Sequence, residues 1–111
     1  MKIVIWMNIP SHHQASFFDA LRQIGLDLLV RYYDKPLLEE RRAQGWCEAI
    51  LPPGETYVEP SLKSLNTISD YKERIHIVPG YGSPFLRILV LRLSHEAVQW
   101  AHWSECSHPG M

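Results

Sequence analysis

Residues 8 to 14 read NIPSHHQ, and the two adjacent histidines behind a serine are the first feature of this chain that could do chemistry. Ser11 offers a helix N-cap, with Gln14 three positions on at capping-box spacing, which puts His12 and His13 in the first helical turn. Unpaired amides there create partial positive charge, favour neutral imidazole and attract anions or polar ligand groups. A neutral histidine so placed can take a proton from a ligand hydroxyl. The alternative is that both are solvated first-turn residues with no ligand.

A second candidate is PGYGSP, residues 79 to 84. Gly80 and Gly82 carry no side chain and would let a ligand come close to backbone, with Tyr81 and Ser83 beside them. The stretch does not match G-x-G-x-x-G, and the loop after the first apolar run has no glycine, so a dinucleotide fingerprint is missing where it should lie. A plain dehydrogenase is rejected on that ground, and an ordinary strand-to-helix turn is the other reading of PGYGSP. His102 and Glu105 could pair only if the chain bends after Trp103, because side chains along a strand alternate. Trp100 and Trp103 are the kind of residues that pack cores or interfaces. The sequence holds no G-x-S-x-G elbow, P-loop or H-E-x-x-H, and His76, His95 and His108 are scattered.

The elements that must position these residues alternate. KIVIWM (2 to 7) is a short apolar run suited to a strand covered on both faces, and Phe17, Phe18, Leu21 and Ile24 then recur at helical intervals up to Gly25. LDLLVRYY (26 to 33) predicts a second strand, LLEERRAQ a charged helix ending at Gly45, and WCEAIL a third, short strand. A less regular stretch reaches Pro60, after which Leu62, Leu65 and Ile68 mark one side of a helix. RIHIV (74 to 78) is the next strand, Ser83 and Pro84 start the apolar helix FLRILVLRL, and AVQWAHW (97 to 103) is the last strand. The expectation is an α/β fold of three layers, a Rossmann-like parallel sheet with helices on both faces. In such sheets ligands bind outside the carboxyl ends of the strands. Here those ends are 8 to 13, 33 to 35, 79 to 83 and 103 to 105.

The chain has 111 residues, enough for one domain, and a formal net charge of −1, which gives no long-range field for nucleic acid. Cys47 and Cys106 have no C-x-x-C spacing, which fits a reducing cytosol better than a disulfide-stapled module. No apolar window reaches spanning length, so the expectation is a cytoplasmic protein, with attachment to a membrane surface left open.

IWMNIPSHHQASFFDALRQ, RYYD, the helix ending at QGW, IHIVPGYGSP and WAHWSE together resemble the amino-terminal domain of GT-B-fold glycosyltransferases. Within that fold the chain resembles the retaining, sucrose-synthase-like bacterial branch that builds cell-surface polysaccharides. The resemblance spans essentially the whole chain. It implies an incomplete acceptor-side domain, partnered in the full enzyme by a nucleotide-sugar donor and a glycan or lipid-linked acceptor, with no other cofactor and no metal. Pro10, Ser11, His12 and His13 would then line the cleft, although Ile9 and Pro10 stand where that family has two glycines. Nothing in the chain resembles the donor-binding half, so the expectation is a fragment inactive alone. Two rivals stand beside it: a stand-alone flavodoxin-like binding module, and an assembly subunit that homodimerises through helix 85 to 93, with Leu89 and Leu93 in the contact, and through an exposed last strand.

Overall fold

A computed structural model describes residues 1–10, 12–34, 39–40, 43–45, 51–80 and 83–103; of His12 and His13 only the backbone is described. The elements are β1 (Lys2–Met7), α1 (His12–Gln23), β2 (Asp27–Tyr32), β3 (Glu55–Tyr57), β4 (Ile75–Val78), α2 (Pro84–His95) and β5 (Trp100–His102), with 3₁₀ helices at Leu62–Thr67 and Tyr71–Glu73. All five strands run parallel in the order β3-β2-β1-β4-β5. This is the Rossmann-like α/β arrangement, with the first strand central. It differs from the 2-1-3-4-5 order of flavodoxin-like sheets.

The strand order follows from apolar content. β1 carries apolar side chains at both parities, so it is buried on both faces and pairs β2 from Lys2↔Asp27 to Met7↔Tyr32 and β4 from Ile3↔Ile75 to Ile5↔Ile77. On one face Ile5, Met7, Leu28, Val30 and Tyr32 pack with Phe18 of α1. On the other, Val4, Trp6, Tyr33 and Val78 pack with Phe85, Leu86, Leu89, Val90 and Leu93 of α2 and with Leu65 and Ile68. The crossovers β1-α1-β2 and β4-α2-β5 move in opposite directions across the sheet, and right-handed connections therefore put the two helices on opposite faces.

Several expectations are adjusted. Of the apolar residues expected to recur along α1, Phe18 and Leu21 pack against the sheet, while Phe17 and Ile24 stay 47% and 75% exposed. The third strand is Glu55–Tyr57, in the stretch that looked irregular, and it pairs Val30 to Tyr32 after the Gly54 turn. Residues 46–50 of the expected strand WCEAIL lie outside the described residues, and Leu51 is not in a strand. Most of the charged stretch after Asp34 also lies outside them; where described, residues 39, 40 and 43 are helical and Gly45 follows with φ 87°. Leu62, Leu65 and Ile68 recur every three residues, and that period produces a 3₁₀ helix. Leu89 and Leu93 are fully buried and cannot form a dimer surface; the exposed apolar residues of α2 are Ile88 and Leu91.

α1 and α2 end in the same way. Gly25 adopts φ 97° while its N–H donates to the Arg22 carbonyl and the Leu26 N–H to the Leu21 carbonyl, a Schellman motif. After α2, Ala97 takes the glycine position at φ 57°, with bonds from Ala97 N–H to Ser94 and from Val98 N–H to Leu93.

Two buried arginines tie the sheet together. Arg74 binds Asp70, the Asp27 carboxylate and carbonyl, and the Ile3 carbonyl, which clamps the amino-terminal edge of β1, β2 and β4. Arg31 donates to Thr67 and to the Val30 and Gly54 carbonyls, holding β2 to the turn before β3 and to the first 3₁₀ helix. Among the described residues no helix is long and apolar enough to cross a membrane.

Candidate functional site

The first strand pairs with β2 on one side and β4 on the other, and the connections leaving β1 and β4 diverge to opposite faces. A crevice must open between those two strand ends. Backbone bonds carry the register past the strands and fix its rim: Tyr33 N–H donates to the Met7 carbonyl at 3.0 Å, Asp34 N–H to Asn8 at 3.1 Å, and Trp103 N–H to Val78 at 2.7 Å.

Two clefts lie along this rim. The larger, about 650 Å³, is on the α2 side and is bordered by Asn8, Tyr33, Asp34, Pro60, Pro79, Gly80, Ser83, Pro84, Phe85 and Leu86. The smaller, about 280 Å³, is lined by Met7, Asn8, Gln14, Pro79 and Trp103. Asn8 and Pro79 border both. The Asn8 side-chain oxygen accepts the Ile9 N–H at 2.8 Å, so the amide nitrogen, a donor, is the end it can offer a ligand.

The larger cleft is a mixed surface. The Tyr33 and Phe85 rings lie 5.4 Å apart and supply an aromatic wall. Burial, with the Asp34 charge beside it, pushes the Tyr33 phenol up to about 12, so near neutral pH it stays a neutral hydrogen-bonding group. Among the described residues bordering the cleft, Asp34 is the one that carries a charge. Ser83 caps α2 by accepting the Phe85 N–H at 3.2 Å, with Pro84 in the first turn. Gly80 has φ 148°, a conformation that favours glycine, and a Cβ there would meet His102 Nε2 at 3.4 Å, an ordinary contact distance. This combination of aromatic wall, amide, hydroxyl and one carboxylate suits an uncharged polar ligand held by stacking and hydrogen bonds.

Beneath the cleft lies a buried histidine. His76 on β4 is fully buried; Trp6 donates its indole N–H to His76 Nδ1 at 3.0 Å, and His76 Nε2 lies 2.7 Å from the Tyr71 carbonyl. An indole only donates and a carbonyl only accepts, so the hydrogen-bond pattern assigns the proton to Nε2 and makes the ring neutral. Burial holds the His76 pKa below the usual histidine value, with Arg74 acting in the same direction and the Tyr71 carbonyl opposing both.

Of the residues singled out from sequence, Gly80 and Ser83 border the larger cleft and His102 stands against Gly80. Pro10 is half-buried and borders neither cleft. Ser11, Tyr81, Gly82 and Glu105, with the side chains of His12 and His13, lie outside the described residues, and so does the His102–Glu105 pairing. The rule that ligands gather at strand ends pointed to Asn8, Tyr33, Pro79 and Trp103, but these were not singled out as binding residues. Phe85, Leu86 and Pro60 carry no signal in sequence, because only packing brings them to the rim. Among the described residues no three of His, Cys, Asp and Glu cluster so as to hold a metal ion.

No family model, curated protein or solved structure significantly matches this chain.

Proposed function

We propose that this chain is the acceptor-side domain of a GT-B glycosyltransferase, and that it holds a glycan in the crevice at the carboxyl ends of β1 and β4. One observation carries the reading: the crevice falls at the switch point of a 3-2-1-4-5 parallel sheet, yet no glycine-rich phosphate loop follows β1. A site in that position without a phosphate cradle suits a neutral polar substrate better than a dinucleotide. The Tyr33 and Phe85 rings offer stacking, while Asn8, Ser83 and Asp34 offer partners for hydroxyls. The sequence resemblance adds the reaction, transfer of a sugar from a nucleotide donor to that glycan.

Saturation-transfer NMR tests the reading with two sets of probes, uncharged methyl glycosides and nucleoside diphosphates. The expected result is transfer to the glycosides and none to the nucleotides. Binding of a nucleotide alone, or no transfer to any glycoside, would overturn it.

A further inference from the structure

Trp6 has two neighbours of different kinds. Its indole N–H is bound by His76, with the two rings 6.1 Å apart and 16° from parallel, and its other ring contact is the edge of Phe85 at 5.8 Å. Phe85 in turn meets Tyr33 at 5.4 Å, and both border the larger cleft. A continuous series of packed rings therefore runs from a titratable group in the core to the aromatic wall of the cleft.

We infer that His76 is a pH-sensitive positioning residue for the larger cleft: neutral, it accepts the Trp6 indole N–H and seats Trp6 against Phe85 and Phe85 against Tyr33; protonated, it releases them. The reason is a conflict of donors. Both nitrogens of an imidazolium carry N–H, and Nδ1–H would then point at the indole N–H in a fully buried site.

Among the described residues, no group around the ring relieves that conflict. From α2 the buried residues are Phe85, Leu86, Leu89, Val90 and Leu93, and from the first 3₁₀ helix Leu65 comes from the same side, none of them titratable. On the sheet, Arg74 and Arg31 are cations already bound to other groups. From the second 3₁₀ helix comes Tyr71, edge-on to the imidazole at 6.3 Å, whose hydroxyl donates to Glu96. Glu96 also pairs with Lys72 and Arg92, so its carboxylate is committed elsewhere. The inference does not depend on which ligand the cleft takes.

The test follows amide and indole NMR signals from about pH 8 down the acid side for as long as the fold persists, because burial moves the His76 transition below the ordinary histidine range. In the wild-type chain the Trp6 indole N–H and the Tyr33, Ser83 and Phe85 amides should shift along one curve. Two substitutions separate the two bonds. His76→Gln reaches Tyr71 but leaves the indole without its acceptor; it should show displaced cleft signals already at neutral pH and no titration of them. His76→Asn puts an oxygen near the Nδ1 position, and should keep wild-type cleft signals at every pH even if the Tyr71 turn moves. Cleft signals that still titrate in either variant would trace the effect to His102 or another rim histidine and overturn the inference. So would a wild-type protein whose Trp6 signal titrates while the cleft signals stay fixed, or one that unfolds as a whole before the cleft responds.

Discussion

Asn8 and Pro79, the residues that immediately follow β1 and β4, both lie at the carboxyl edge of the sheet and border both clefts. Any ligand that crosses the edge from one face to the other passes over this pair. Asn8→Asp keeps an oxygen that accepts the Ile9 N–H, removes the amide donor and adds a carboxylate charge to the cleft that Asp34 also borders. It should weaken glycoside binding by about threefold to tenfold, the worth of one hydrogen bond of about 0.5–1.5 kcal/mol, with the melting temperature unchanged. Calorimetric titration alongside a thermal melt checks both halves.

At the opposite edge, Arg74 should matter to stability alone. Arg74→Met removes bonds to two carboxylates and two carbonyls, and the expected loss is about 2–4 kcal/mol in urea unfolding. Glycoside affinity measured on the folded fraction should not change, because the clamp lies a full strand length from the rim.

His76 makes stability depend on pH with a definite sign. Its folded-state pKa lies below the ordinary value of 6.5, so the unfolded chain takes up a proton that the native state refuses. Above that value the group contributes no pH dependence. As pH falls below it, stability declines by up to about 1.4 kcal/mol per pH unit, until the native state itself protonates. The other histidines add their own slopes, so the quantity to measure is the difference between wild type and His76→Asn in urea unfolding at several pH values. The stability of wild type relative to His76→Asn should be flat above neutrality and fall on the acid side.

The two faces of α2 should respond oppositely to substitution. Leu89→Ala empties a fully buried position and should cost about 2–5 kcal/mol, whereas Ile88→Lys and Leu91→Lys, at 50% and 70% exposure, should stay within about 0.5 kcal/mol. Just beyond the helix, Ala97→Gly should stabilise by about 0.5–1 kcal/mol, since φ 57° costs alanine more than glycine. Denaturant midpoints of the four variants check the set.

Much of this architecture could be read from the chain because its signals are local. KIVIWM is apolar at both parities, Gly25 stops one helix, and Ser83 with Pro84 starts another; each acts within a few residues. β3 escaped because three residues, Glu55–Tyr57, are too short for a period, and what makes them a strand is pairing to β2. Which residues of FLRILVLRL face the sheet is not legible, because the helix is apolar nearly all round and only packing buries Leu89 and Leu93 while leaving Ile88 and Leu91 exposed. His76 looked like one of several scattered histidines; Trp6, its partner, is distant in sequence and meets it only through strand pairing. For the cleft, topology pointed to the edge, while the identity of its walls came from α2 folding back over the sheet.

Ligand binding across the Asn8–Pro79 rim can be followed by ¹⁵N-HSQC titration with an uncharged methyl glycoside. The expected shifts are concentrated at Asn8, Tyr33, Gly80, Ser83 and Trp103. Shifts centred on Lys2, Asp27 and Arg74 at the opposite edge, or none at saturating glycoside, would contradict it.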